Sequence, residues 1–192
     1  MSEWLVTGET VHPKGGNPLG NRFYGYRQVD LVLPDGRPAT YHGVDIGWCV
    51  HVVALEEDET TYLVRQRRPN VMPVGGRSVP KTLELPGGFA DLSLTLDESA
   101  AQELGQETGR RADNMEFIGT LYPSTGISNE QDHIFMATGL SVITPMDSGE
   151  ATEQDMKLVH GKFGYLYRQM QLDKLPVSAQ TLAAMAKVAV RL

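Results

Sequence analysis

Strand-like and helix-like segments follow one another in mixed order along this chain. That order predicts an α/β domain built on a mixed sheet, with a small N-terminal antiparallel hairpin or sheet ahead of it. Three observations carry the expectation: apolar runs of strand length bounded by turn residues, a helix with clear start and stop signals at residues 95–109, and two helical stretches near the C-terminal end. The 192 residues fit one domain or a domain with an appendage, since a domain takes about 100–200 residues. A hydrophobic share of 41% against a charged share of 21% supports a buried core and excludes a disordered chain.

Residues 1–20, rich in Gly, Pro, His and Asn, read as a flexible arm. A hairpin follows: residues 24–33 are strand-like, Pro34, Asp35 and Gly36 signal a turn, and residues 38–44 return. Residues 46–55 are a mostly apolar run, and the acidic turn at residues 56–59 leads into a partner strand at residues 60–65. Residues 71–81, with Pro73, Gly75, Gly76 and Pro80, read as a loop. Leu83, Glu84 and Leu85 make a short strand that runs into a glycine turn at Pro86, Gly87 and Gly88. Thr95 and Glu98 stand at capping-box spacing, Ala100, Ala101 and Leu104 supply an apolar stripe, and Gly109 is a natural stop. Strands are expected at residues 115–122, 133–140 and 155–160, and helices at residues 166–172 and 178–192.

Charge and motif content narrow the function. Seventeen Lys and Arg against twenty-four Asp and Glu leave a net charge of −7, which argues against general nucleic-acid binding. Cys49 is the only cysteine, so no intrachain disulfide forms, and in an apolar strand it reads as a buried small hydrophobe. The first residues do not resemble a secretory leader, and no apolar run reaches the roughly 18 residues of a membrane span. A cytoplasmic protein with no membrane partner is expected. Gly75, Gly76, Arg77 and Ser78 lack the ending of a phosphate-binding P-loop. Ser124 and Ser128 lack a nucleophile-elbow context. His12, His42, His51, His133 and His160 show no paired metal-ligand spacing and read as structural or surface residues.

The chemistry-bearing segment is residues 87–109. There a glycine turn feeds a helix that carries Glu103 and Glu107 on one face, with Gln106 beside them. Like charges at that spacing repel by a few tenths of a kcal/mol, and a divalent cation reverses the sign of that term. Oxygen ligands of this kind suit Mg²⁺ or Mn²⁺. From spacing alone, a solvated acidic face is the alternative.

The segment resembles the Nudix box of the Nudix hydrolases. Anchored on Gly88, it matches at Glu103, Leu104, Glu107 and Gly109, and departs where Leu94, Gln102 and Gln106 replace a Glu, an Arg and a Glu. The flanking residues 63–69, 83–88, 124–130 and 153–159 resemble the branch of ADP-ribose and nucleoside diphosphate-sugar pyrophosphatases. This resemblance implies an α/β/α sandwich over residues 45–192 and a dimerising hairpin over residues 21–44. It also implies hydrolysis of ADP-ribose or a similar compound to AMP and a sugar phosphate, with Mg²⁺ or Mn²⁺ as cofactor and a small nucleotide as substrate.

Residue roles are carried over on the same basis. Glu103, Glu107 and the Gly87 carbonyl would hold metal, and Glu153, with Glu150 in reserve, would act as general base. Arg68 would contact phosphate, and Glu130 and Tyr24 would bind substrate, with Tyr24 and Tyr26 positioned to stack on a base across a homodimer. Leu94 and Gln102 replace a supporting Glu–Arg pair together, and losing both partners of an ion pair can be nearly neutral. Gln106 removes one negative charge from the site, and Pro123 lies two residues before the Thr125 position where the branch carries proline. The alternative function is therefore a catalytically weak or inactive Nudix domain that binds a nucleotide or a protein.

Overall fold

The computed structural model describes residues 4–12, 24–71, 76–144 and 155–192. The chain divides into two compact units, Met1–Trp48 with Tyr122–Gln131, and Cys49–Leu121 with Asp132–Leu192.

The first unit holds an antiparallel sheet of β1 (Leu5–His12), β2 (Gly25–Val32) and β3 (Pro38–Asp45), in the order β1-β2-β3. Gly36, at φ 83°, closes the β2–β3 turn in a conformation that disfavours other residues. Residues 5–12 are thus a strand where a flexible arm is expected from composition. Their backbone pairs with β2 from Leu5↔Val32 to His12↔Tyr26, yet none of the eight residues is buried. A strand held by backbone pairing and exposed side-chain contacts, such as Glu9 with Arg27, leaves no apolar alternation in the sequence. The rest of that expected arm, residues 13–20, lies outside the described residues. Within the same unit Asn129 gathers backbone. Its Oδ1 accepts from the Ile46 and Gly47 N–H groups at 2.9 and 3.3 Å, and its Nδ2 donates to Asp45 at 2.6 Å.

The second unit is built on β4 (Trp48–Ala54), β5 (Thr60–Arg67), β6 (Lys81–Glu84), β7 (Gly87–Phe89), β8 (Arg110–Leu121), β9 (Gln131–Val142) and β10 (Lys157–Lys162). These strands form sheets of order β10-β5-β6 and β7-β4-β9-β8. The helices are α1 (Leu96–Thr108), α2 (Phe163–Gln171) and α3 (Ala179–Ala189). Strand alternation sorts the core into two layers. Val50, Val52 and Ala54 of β4 pack with Ala100 and Leu104 of α1. Val53 and the following Leu55 pack with Phe163, Leu166 and Met170 of α2 and with Ala184, Met185 and Val188 of α3. Helices therefore cover both faces, and the expected α/β class holds, with an α/β/α arrangement.

Local boundaries differ in instructive ways. Gly87 and Gly88, expected as a turn, form a short strand paired to Val50 and His51 of β4. Strand β8 starts at Arg110 directly after the helix stop, although its first half is polar. Its bonds to β9, not burial, define it there.

Helix α3 fixes the chain just before β7. Ser178 caps it by accepting from the Thr181 N–H at 3.2 Å, and the buried Thr181 Oγ1 accepts from the Leu85 N–H at 2.9 Å. Thr181→Val leaves that buried amide without an acceptor and is expected to cost about 1–3 kcal/mol in denaturant unfolding. An unchanged midpoint would show that the bond contributes nothing.

Candidate active site

Helix α1 starts on a closed capping box. The Thr95 N–H donates to Glu98 Oε2 at 2.9 Å, and the Glu98 N–H donates to Thr95 Oγ1 at 3.4 Å. The loop ahead of it is clamped by buried Ser99, whose Oγ accepts from the Asp91 N–H at 3.2 Å and donates to the Asp91 carbonyl at 3.4 Å. The Asp91 carboxylate accepts from the Ser93 N–H and hydroxyl in turn. Serine and threonine thus hold the loop–helix junction on either side of Leu94. Gly109, at φ 63°, ends the helix as the sequence predicts.

One turn of exposed charge is not what α1 presents to β7. Glu103, Gln106 and Glu107 are all half-buried. The Gly87 N–H donates to Glu107 Oε2 at 2.8 Å. A Cβ built on Gly88 would stand 2.7 Å from Glu103 Oε1, so only glycine admits that carboxylate at its present distance. At Gly87 a Cβ would meet the Val50 carbonyl oxygen at 2.2 Å. Both α1 acids therefore lie against β7, Glu107 on the Gly87 N–H and Glu103 beside Gly88. Two half-buried carboxylates on one helix face are oxygen donors of the kind that suits a hard divalent cation.

Arg68 follows the end of β5 and forks onto Glu84 of β6, with Nε–Oε1 at 2.8 Å and Nη2–Oε2 at 2.5 Å. The Thr82 hydroxyl donates to Glu84 at 2.5 Å and Gln66 Nε2 at 3.3 Å. Burial acts to raise the Glu84 carboxyl, but the Arg68 and Thr82 hydrogen bonds and the Arg68 charge outweigh it and hold it below the ordinary carboxylate range. The sequence reading gives Glu84 no role; its signal is an acid in a short apolar strand just ahead of the Pro-Gly-Gly run. Asp155 bridges Lys81 at 3.0 Å and Arg67 at 2.8 Å, which ties the start of the β10 segment to β5 and β6. Those two bonds depress its carboxyl.

The first unit carries the other candidates. Tyr24 is half-buried just ahead of β2, and Glu130 is half-buried just after Asn129. Tyr26 bonds His42 Nδ1 through its hydroxyl at 2.5 Å, and their rings stack. Glu150 and Glu153, expected as the general base, lie outside the described residues.

A family model described as the NUDIX domain matches residues 46–160. The chain is 28% identical over 152 residues to a CMP-5'-(N-acetyl-N-hydroxy-3-aminopropyl)phosphonate hydrolase of Streptomyces rubellomurinus, covering 78% of this chain and 67% of that one. It is 29% identical over 115 residues to an ADP-ribose pyrophosphatase of Bacillus subtilis, covering 59% and 58%. Each match leaves a third or more of the relative's own length unspanned. A solved structure titled as an ADP compounds hydrolase superposes with a TM-score of 0.74 at 20% identity, over 100% of this chain and 95% of that one. That likeness shows a shared fold.

The two glycines separate by mutation. Gly88→Ala presses on the movable end of Glu103, so the folded state is expected to persist while divalent-ion affinity falls about tenfold or more. Gly87→Ala drives a methyl into backbone and is expected to lower stability by about 1–3 kcal/mol. Calorimetric titration with Mn²⁺, beside thermal unfolding, reads both. For Glu84 the sign is set by its lowered carboxyl. The stabilisation is full above the unfolded pKa and is lost as pH falls through the folded one. The wild type is expected to exceed Glu84→Gln in stability above about pH 5, with the gap closing below about pH 4. A gap independent of pH would contradict the ion pair.

Proposed function

Since the chain belongs to the Nudix hydrolase family, we propose that it hydrolyses the pyrophosphate bond of a nucleoside diphosphate-sugar in a divalent-metal-dependent reaction, with ADP-ribose the favoured substrate and AMP and a sugar phosphate the products. The observation that carries this is the placement of both α1 acids against β7, Glu107 held by the Gly87 N–H at 2.8 Å and Glu103 beside Gly88. The names of the relatives add support, since one acts on a CMP-linked phosphonate and the other on ADP-ribose. Both names describe a nucleotide joined to a second group.

Glu103, Glu107 and Gly87 would hold Mg²⁺ or Mn²⁺. A divalent ion there supplies neutralisation of phosphate charge and polarisation of the phosphorus–oxygen bonds. Arg68 offers a planar fork for phosphate oxygens, and Glu84 keeps that fork oriented until substrate competes for it. Tyr24 and Glu130 are assigned to the nucleoside end. Glu153, or Glu150 in its place, takes the proton from the attacking water. The oxygen of that water forms the new bond to one phosphorus, and the anhydride oxygen leaves with its electron pair on the other product.

We assign the protein to the cytoplasm as a homodimer joined through the N-terminal sheet. Among the described residues, Trp4, Leu5, Val6 and Val11 are exposed on or beside an edge strand, and Tyr41 is exposed on β3. Such an edge favours pairing with another copy. A solution mass of one chain, 21.1 kDa, would contradict the dimer.

The rival is a binding module without turnover, and Gln106 is the observation in its favour. It is half-buried on the carboxylate face of α1 and carries no charge. AMP release from ADP-ribose in Mg²⁺ and Mn²⁺, beside a panel of nucleoside diphosphate-sugars and a CMP-linked phosphonate, decides between them. Turnover is expected, falling about 100-fold or more in Glu103→Gln and in Glu107→Gln. Calorimetric binding without turnover on the whole panel, in folded protein, establishes the module instead.

A further inference from the structure

The face of β4 turned away from α1 carries a residue to which the hydrolysis assigns nothing. Val50, Val52 and Ala54 pack on α1, so strand alternation turns His51 to the opposite face. His51 is the register partner of Gly87 on β7, and a Cβ built on Gly87 would stand 2.7 Å from its Nδ1. In the other direction, His51 Nε2 lies 3.4 Å from Oδ1 of Asp132 on β9. The sheet order is β7-β4-β9, so the ring spans from one neighbour of β4 to the other.

Strand β7 needs support of this kind. It is three residues long, stands at the edge of its sheet and opens with two glycines. Glycine has the greatest backbone freedom of any residue, yet the Gly87 N–H is held on Glu107 Oε2 at 2.8 Å. The imidazole lies against the side of Gly87 where a side chain would project, and so limits how far that peptide can turn. Asp132 holds the ring in turn. Its carboxylate has no solvent exposure, a buried carboxylate is costly without a compensating group, and Nε2 is placed to be that group.

We propose that His51 is a positioning residue for the metal site between α1 and β7, with Asp132 as its anchor. It acts through Gly87, fixing the peptide whose N–H orients Glu107 and whose carbonyl is assigned to the ion. Nδ1 is turned to Gly87 and Nε2 to Asp132, so the ring is directed at protein and not at substrate. The inference rests on the proposed assignment of Glu103, Glu107 and Gly87 to a divalent ion.

Mn²⁺ titration of the full chain, followed by electron paramagnetic resonance, tests it, with AMP release from ADP-ribose measured across the same Mn²⁺ range. His51→Ala is expected to weaken Mn²⁺ binding by about tenfold or more. Its AMP release is expected to fall at limiting Mn²⁺ and to recover at saturating Mn²⁺, a rescue that simple destabilisation does not give. His51→Gln keeps an N–H donor for Asp132 and is expected to retain most of the affinity. Asp132 acts through His51, so His51→Ala/Asp132→Asn is expected to bind no more weakly than His51→Ala. Losses that add in the double variant overturn the anchor. An affinity unmoved by His51→Ala overturns this inference alone. No Mn²⁺ binding in the wild type, or binding unchanged in Glu107→Gln, overturns the metal site and this inference with it. Thermal unfolding in chelator confirms that folded proteins are compared, and the two His51 variants decide the matter if Asp132→Asn does not fold.

Discussion

Gly87 and Gly88 open β7 with two consecutive residues that carry no Cβ, and the arrangement around it depends on that. On one side the strand closes against β4, where any side chain at position 87 would enter the Val50 carbonyl. On the other it admits the Glu103 carboxylate, while the Gly87 N–H fixes Glu107. Neither acid could be held at this distance from β7 by α1 alone, because a helix sets only their spacing. The packing of Ala100 and Leu104 against Val50 and Val52 sets the distance of α1 from the sheet, and Thr181 of α3 holds the chain entering β7 from the far side. Core packing on both faces thus becomes geometry at the carboxylates.

The departures of this chain from the Nudix box have different physical weights. Leu94 and Gln102 stand where the resemblance expects a Glu–Arg pair, and Ser99, bonded twice to Asp91, and the Thr95 capping box hold the loop–helix junction in this chain. Losing both partners of a charged pair removes a desolvation cost along with the attraction. Gln106 is another matter, because no neighbouring change returns the missing charge to α1 within that segment. In the proposed metal site this substitution would weaken the hold on a divalent ion.

What was legible in the sequence was what local chemistry determines. Thr95, Glu98 and Gly109 marked α1 because caps are satisfied within a few residues, and Glu103 with Glu107 marked its face. The continuous apolar run of β4, with its partner β5, marked strands buried on both sides. Residues 5–12 were not legible, since an exposed strand is defined by a partner elsewhere in the chain, and Gly87–Gly88 read as a turn because glycine is the usual turn residue. The Arg68–Glu84 fork and the approach of His51 to Asp132 join residues that no spacing rule connects. Tertiary pairing of strands brings them together, and single histidines and acids give no warning of it. Arg68 also lies just past the last residue of β5, so strand alternation does not fix its face.

Thermal unfolding of the wild type and Glu103→Gln, each in chelator and in Mn²⁺, tests most directly whether the α1 acids are arranged for a cation. Without metal, two neighbouring carboxylates repel, so the variant is expected to be the more stable protein by a few tenths of a kcal/mol. With Mn²⁺ the order is expected to reverse, because an ion that binds the folded wild type more tightly stabilises it more. If the same protein is the more stable under both conditions, Glu103 and Glu107 are a solvated acidic face and the hydrolytic reading loses its site.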